Sequence, residues 1–147
     1  GTPGASYQDT SFVFQVWASA RRAAILPKGY LHYRVDNANS SVKSSAKVFA
    51  VCDEYELSRE FLAKDPEKQI AFGAIVNLLK LGTYRWNFNR LTDESRRAFA
   101  ERMREEYLRA REEGTLERDM FAPADWEMLN LMMDDFDAFM ARFESGM

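Results

Sequence analysis

The sequence predicts a mostly α-helical protein with a small mixed α/β piece at its N-terminal end. Its 147 residues are 46% hydrophobic and 29% charged, a composition typical of one globular domain. Apolar residues recur at helical spacing in four segments after residue 45. Before that point, short apolar runs alternate with Pro, Gly and Ser, which favours one helix and two short strands. We therefore divide the chain into an α/β piece, residues 1–44, and a bundle of about four helices, residues 45–147.

The α/β piece is predicted to contain a helix, two strands and a polar loop. The helix begins at Asp9, because apolar residues follow it at spacings of three and four. Two short runs, Ala24–Leu26 and Tyr30–Val35, flank a Pro-Lys-Gly turn and favour strands. The segment 36–41, DNANSS, is predicted to be an exposed loop, since its Asn, Asp and Ser side chains compete with regular backbone pairing.

The bundle begins with a helix whose apolar face includes Cys52. The second helix has Asp65 as its N-cap and Pro66 at its first position. It is apolar almost all round, so we expect it to be the central, buried helix. The third starts at Thr92, and the fourth is expected to run unbroken from Pro123. The fourth helix carries one apolar seam: Trp126, Leu129, Met133, Phe136, Met140 and Phe143.

Charge and composition exclude several classes of function. The net charge is −3 with acids and bases interspersed, so we expect no nucleic-acid partner. No stretch reaches the roughly 18 apolar residues that a membrane span needs. A single cysteine indicates a reducing compartment, and we expect a cytoplasmic location.

Three residue patterns that resemble metal or nucleophile sites have simpler interpretations. Asp135 and Asp137 match a D-x-D motif, but residues two apart on a helix point about 200° from one another and cannot share an ion. His32, the only histidine, has no cluster of further ligands near it. Cys52 lies on an apolar helix face and has no base to activate it, so we interpret it as a core residue. We therefore predict no metal site in this chain.

Asp9 has two interpretations that the local sequence leaves open. An Asp before an apolar helix is typical of an N-cap. A carboxylate in that place is also stabilised by the helix dipole, which suits a general base. The two roles are compatible.

Three segments taken together resemble the later part of bacterial family-2 glycosyltransferases, which are inverting enzymes of the GT-A fold. They are PGASYQDTSFVFQVW, YLHYRVDNANSSV and KVFAVCDEYE. The closing FAPADWEMLNLMMDDFDAF is similar to the C-terminal tail of capsule- and lipopolysaccharide-type members. The resemblance identifies residues 1–44 as the end of a GT-A catalytic domain and residues 45–147 as a C-terminal helical appendage.

The resemblance implies a function for the α/β piece. It makes Asp9, in the pair Gln8-Asp9, the base that deprotonates an acceptor hydroxyl, so that a sugar is transferred from a nucleotide sugar to a glycan or lipid-linked acceptor with inversion. By similarity the site is lined by Gln8, Tyr33, Arg34, Asn37, Asn39, Ser40 and Ser41. The alternative for the last six residues is an ordinary strand and turn.

The family's donor-binding half, with a D-x-D loop for Mn²⁺ or Mg²⁺, has no counterpart in this sequence. We therefore expect no cofactor in this chain, and no sugar transfer by it alone. Free strand edges would favour a homo-oligomer, and the parent enzyme could lie at the inner face of the membrane. The alternative function is a non-catalytic helical interaction or oligomerisation module.

Overall fold

The structure, a computed structural model, describes residues 7–29 and 47–147, and these residues are mostly helical. The elements are α1 (Gln8–Ser19), α2 (Ala50–Ala63), α3 (Pro66–Arg90), α4 (Asp93–Glu112), a 3₁₀ turn (Arg118–Met120), α5 (Pro123–Asp134) and α6 (Phe136–Arg142). The predicted class, a helical bundle after residue 45, is confirmed, and no strand occurs in the described parts of the chain.

The strand predicted at Ala24–Leu26 is wrong. This segment is irregular and open to solvent, and Ile25 is 93% exposed. A strand needs a partner for its backbone N–H and C=O groups, and the described residues offer none here. The second predicted strand, Tyr30–Val35, and the loop 36–41 lie outside the described residues.

The core of the bundle is aromatic and centres on α3. This helix packs against α2 on one side and α4 on the other, and α5 and α6 cover α4 and the end of α3. Tyr84 of α3 meets Tyr55 and Phe99 edge to face, at centroid distances of 5.6 and 5.3 Å. Phe88 meets Phe139 of α6 at 6.2 Å. In the edge-to-face arrangement the positive edge of one ring meets the negative face of the next. This attraction stabilises the core beyond the contribution of the buried apolar area.

The start of α3 agrees with the prediction, and its burial does not. Asp65 is the N-cap and its carboxylate accepts a hydrogen bond from the Lys68 amide at 3.2 Å. The helix is not buried all round, however, because Ile70 is 84% and Leu79 51% exposed. Its buried face includes the polar residues Asn77, Lys80 and Asn87. Hydrogen bonds and an ion pair made by these side chains offset the cost of burying them.

The last predicted helix is two helices. The backbone turns at Asp135, which has φ −141° and ψ 79°, and the Asp135 carboxylate accepts a hydrogen bond from the Ala138 amide at 3.1 Å. The turn gives Phe139, outside the predicted seam, a fully buried position. The six residues of the predicted seam are in the core or packed against it, but they belong to two helices, because the Asp135 side chain caps the start of a second helix.

Cys52 is fully buried on α2, which confirms its interpretation as a core residue. Its burial, with the Glu106 carboxylate nearby, raises the pKa of the thiol to about 12. None of the described helices has both the length and the apolar character needed to cross a bilayer.

Candidate functional site

Asp9 lies in the first turn of α1, as the second residue of the helix. The N-cap is Tyr7, and no side chain makes a capping hydrogen bond there. The interpretation of Asp9 as the N-cap is therefore wrong, because the helix begins one residue earlier than the sequence predicts. The Asp9 side chain is exposed, and it has no hydrogen-bond or salt-bridge partner among the residues the structure describes. An exposed carboxylate at the positive end of a helix dipole can accept a proton from a bound hydroxyl group.

Tyr7, which precedes the Gln8-Asp9 pair, has a strained backbone. It has φ 64° and ψ 20°, the left-handed conformation, and it is the one non-glycine residue with positive φ in the described ranges. Such a conformation costs about 1–3 kcal/mol and is concentrated at functional sites. The Tyr7 ring packs edge-on against Trp86 of α3 at 6.4 Å. Its partial burial raises the phenol pKa, which the Arg90 charge opposes.

Helix α1 is held against α2 by small and polar residues. The Ser11 hydroxyl donates a hydrogen bond to the buried Glu54 carboxylate, and Ala18, two turns further along α1, is also buried. Both of these buried residues are small. The large side chains of α1 consequently lie on its other faces, and Phe12 is 66% exposed.

An apolar groove of about 570 Å³ lies between α1 and α3, with α2 at its base. Among its lining residues are Val13 and Trp17 of α1, Tyr55 of α2, and Ile75 and Leu79 of α3. Phe14 meets Phe72 edge to face at 6.4 Å, whereas Tyr7 meets Trp86, so α1 and α3 run in opposite directions along the groove. Asp9 lies at the end of the groove where α1 begins.

Most of the other residues that the resemblance assigns to the site cannot be placed beside Asp9. Gln8 is in α1, but its side chain lies outside the described atoms, and so do Tyr33, Arg34, Asn37, Asn39, Ser40 and Ser41, as well as His32.

The two aspartates of the D-x-D pattern have structural partners. Asp135 caps α6, and Asp137 accepts a hydrogen bond from Arg97 at 3.0 Å. Within residues 7–29 and 47–147, no three Asp, Glu, His or Cys side chains cluster as metal ligands would.

A cluster of polar residues that the sequence analysis did not predict is buried in the bundle, apart from the Asp9 groove. The Lys80 ammonium lies 3.5 Å from the Glu106 carboxylate and 4.6 Å from the centroid of the Tyr107 ring. Glu106 also accepts hydrogen bonds from the Tyr84 hydroxyl at 2.6 Å and from Arg102 at 2.8 Å. Burial lowers the pKa of Lys80, and the Glu106 charge opposes that shift. The spacing of Asn77, Lys80 and Tyr84 on one face could have indicated this cluster, but the apolar residues around α3 hide it.

This cluster borders a small cavity of about 30 Å³. The cavity is also lined by Glu56, which is paired with Arg59 and with Arg109. Because the acids and bases pair with one another, we interpret the cluster as structural and the Asp9 groove as the candidate functional site. Comparison of the chain with protein-family models, curated proteins and solved structures gives no match.

Proposed function

We propose that this chain is the acceptor-side part of a glycosyltransferase of the family-2 type, with Asp9 as the general base. The observation that carries the proposal is the placement of Asp9, an exposed carboxylate in the first turn of α1 at the end of a ligand-sized groove. The resemblance of the Gln8-Asp9 segment to that family agrees with it. The strained Tyr7 backbone, immediately before the pair, supports a constrained site.

The proposed step is a single displacement. An acceptor hydroxyl gives its proton to an Asp9 carboxylate oxygen while the hydroxyl oxygen attacks the anomeric carbon of the nucleotide sugar. The bond from that carbon to the diphosphate breaks, and the diphosphate leaves with the bonding electrons, so the anomeric configuration is inverted. General-base assistance of this kind contributes roughly 10²–10⁴-fold.

The family's Mn²⁺ or Mg²⁺ would neutralise the leaving diphosphate. The described residues hold no ligand set for such an ion, so they do not fit it, and the role proposed for Asp9 does not depend on a metal in this chain.

The test is diphosphate release from a panel of nucleotide sugars, using the full-length protein that contains this chain. Asp9→Asn keeps the size of the side chain but cannot accept the proton. We expect its turnover to fall by about a hundredfold or more, with an unchanged melting temperature. Asp53→Asn is the matched control, since Asp53 is an exposed carboxylate in the first turn of α2. Equal turnover in the wild type and Asp9→Asn would contradict the proposal.

A second candidate function is a non-catalytic interaction module. The outward face of α1 favours it, because Phe12 and Val16 expose large apolar side chains, and such patches mark interaction sites. In the same assay, absence of turnover by both the wild type and Asp9→Asn would favour the interaction module. A parent sequence with a strand-rich upstream region and a loop D-x-D would favour the enzyme.

A further inference from the structure

We propose that one face of the bundle binds the surface of an anionic lipid bilayer. This α1–α3 face consists of the outward side of α1, the segment 20–29 that follows it, and the side of α3 that borders the groove. The inference goes beyond the proposed function, because it assigns an interaction surface and requires no chemical role for Asp9.

The outward side of α1 is apolar. Its four exposed apolar side chains are Phe12, Val13, Val16 and Trp17. At about 100° per residue, they cover the side of the helix opposite Ser11 and Ala18, which are buried. The helix is therefore apolar on the side that it turns away from the bundle, where a helix at a free protein surface carries polar residues.

The neighbouring parts of the face are also apolar. Leu79 of α3, which lines the groove, is 51% exposed, and Trp86 of the same helix is exposed where it packs against Tyr7. Ile25 and Leu26 are exposed in the segment after α1. Most of the exposed large apolar side chains in the described residues thus lie on this face, and such a concentration marks an interaction surface.

The charges on this face indicate the kind of partner. Residues 10–29 contain Arg21, Arg22 and Lys28, all exposed, and no acidic residue. Residues 68–90 of α3 contain no acidic residue either, so all 23 Asp and Glu residues of the chain lie outside these two stretches. The net charge of the whole chain is −3. An anionic surface therefore repels most of the molecule and attracts this face.

Basic groups lie at both ends of the groove. The Arg90 guanidinium lies over the Trp86 ring, 5.0 Å from its centroid, at the end where α1 begins. Arg21 and Arg22 follow the other end of α1. Asp9 is the one acidic residue that lines the groove, and it is at the Arg90 end. An apolar centre with basic residues around it is typical of a surface that lies in the bilayer interface.

The same charges favour a bilayer over a second copy of the chain. Two copies that paired through this face would bring together two sets of Arg21, Arg22 and Arg90, with one Asp9 in each set. The excess of like charge would oppose such pairing, whereas anionic head groups neutralise it. Arginine side chains can extend to lipid phosphates while their stems lie on apolar surface, and tryptophan rings favour the head-group boundary.

The experiment measures co-sedimentation of the 147-residue chain with two kinds of vesicle. One contains equal parts of phosphatidylcholine and phosphatidylglycerol, and the other contains phosphatidylcholine alone. We expect binding to the mixed vesicles that weakens as salt is added, and binding to phosphatidylcholine that is weaker by about tenfold or more. Arg21→Gln with Arg22→Gln should weaken binding to the mixed vesicles by about fivefold for each charge removed.

Two matched controls separate this face from the rest of the surface. Arg111→Gln with Arg142→Gln removes the same charge from exposed positions of α4 and α6, which do not line the groove, and should bind like the wild type. Val16→Gln should weaken binding by about threefold or more. Ile70→Gln should not, because Ile70 is exposed at a different cleft, near Glu117. Melting temperatures verify that each variant is folded.

Tryptophan emission locates the contact. A variant with Trp86→Phe and Trp126→Phe retains Trp17, whose emission should shift to shorter wavelength on the mixed vesicles and be quenched by brominated lipid. A variant with Trp17→Phe and Trp86→Phe retains Trp126, which packs against Phe121 away from this face. Its emission should not change.

The other outcomes overturn the inference. Absence of binding to the mixed vesicles, equal losses in a variant and its control, or a shift of Trp126 without Trp17 would remove this face as the lipid-binding surface. Equal binding to both kinds of vesicle would remove the preference for anionic lipid. Self-association that Val16→Gln abolishes, without vesicle binding, would assign the face to a second copy of the chain. Vesicle binding needs no catalysis, so this proposal and the proposed function can fail separately.

Discussion

At the scale of single residues, the buried pair of Lys80 and Glu106 is the most demanding feature of the core. Their side chains are 8% and 4% exposed, and moving charges from water into a protein interior costs several kcal/mol per ion. The two residues differ in how many partners offset this cost. Glu106 has three donors, from Lys80, Tyr84 and Arg102, whereas Lys80 has Glu106 as its only ion-pair partner within the described residues.

This inequality predicts unequal effects of substitution. Glu106→Gln leaves the Lys80 ammonium buried without a counter-charge, and we expect it to reduce the free energy of unfolding by about 3–5 kcal/mol. Lys80→Met should cost less, because Arg102 still neutralises Glu106. Urea unfolding at pH 7 measures both values.

The double variant tests the coupling between the two residues. Lys80→Met with Glu106→Gln should be clearly more stable than the sum of the single losses predicts, because it buries no unpaired charge. Strict additivity, or a larger loss in Lys80→Met than in Glu106→Gln, would contradict the assignment of Glu106 as the residue that neutralises Lys80.

At the scale of elements, the sequence predicts helices best where a cap and a proline mark their start. Asp65 and Pro66 locate the start of α3 correctly. The buried face of α3 is not predicted, because apolar residues surround the helix and the polar residues Asn77 and Lys80 are buried by partners distant in sequence. Of the candidate site, the position of Asp9 near a helix start is predictable. The groove is not, since it depends on how α1 packs against α2 and α3.

The break between α5 and α6 gives a prediction for one element. Asp135→Ala removes the side-chain hydrogen bond to the Ala138 amide, and we expect a loss of about 1 kcal/mol in unfolding free energy. Helix α6 has seven residues, too few to be stable without its cap and its packing. The α6 amides of Asp135→Ala should therefore exchange with solvent faster than those of the wild type, as hydrogen exchange would measure.

Asp135→Ser is the control for this change, because a serine hydroxyl also accepts the capping hydrogen bond. It should retain most of the stability and the slow exchange. If Asp135→Ala and Asp135→Ser behave alike, the cap does not maintain the break, and Phe139 packing alone does.

At the scale of the whole molecule, α2 to α6 share one core, and α1 is attached to its outside. The core includes Val51 and Cys52 of α2, Tyr84 of α3, Phe99 of α4 and Phe139 of α6, all fully buried. Because these side chains are closely packed, one of them cannot leave the core without disturbing its neighbours. The bundle is therefore expected to unfold in one cooperative step, whereas α1, which leaves Phe12 exposed, contributes little to that core.

Labelling of Cys52 with a thiol reagent tests this cooperativity. Because the thiol is fully buried, labelling in water should be at least about a thousandfold slower than in unfolded chain, in line with a global stability of 5 kcal/mol or more. The labelling rate should rise with urea as steeply as the global unfolding constant does. It should also rise with pH around the ordinary thiol pKa of about 8.5, since the thiol that reacts belongs to the unfolded chain.

Direct reaction of the folded protein would behave differently. Its pH dependence would follow the native thiol pKa of about 12, which burial raises, and its rate would be insensitive to low urea. Such a result would mean that the reagent reaches the Cys52 thiol without unfolding of the bundle. A Cys52→Ala, Glu60→Cys variant supplies the control, because residue 60 is exposed on the same helix and its thiol should react at once. Slow, urea-dependent labelling of Cys52 beside fast labelling at position 60 would establish that α2 is part of one cooperative core.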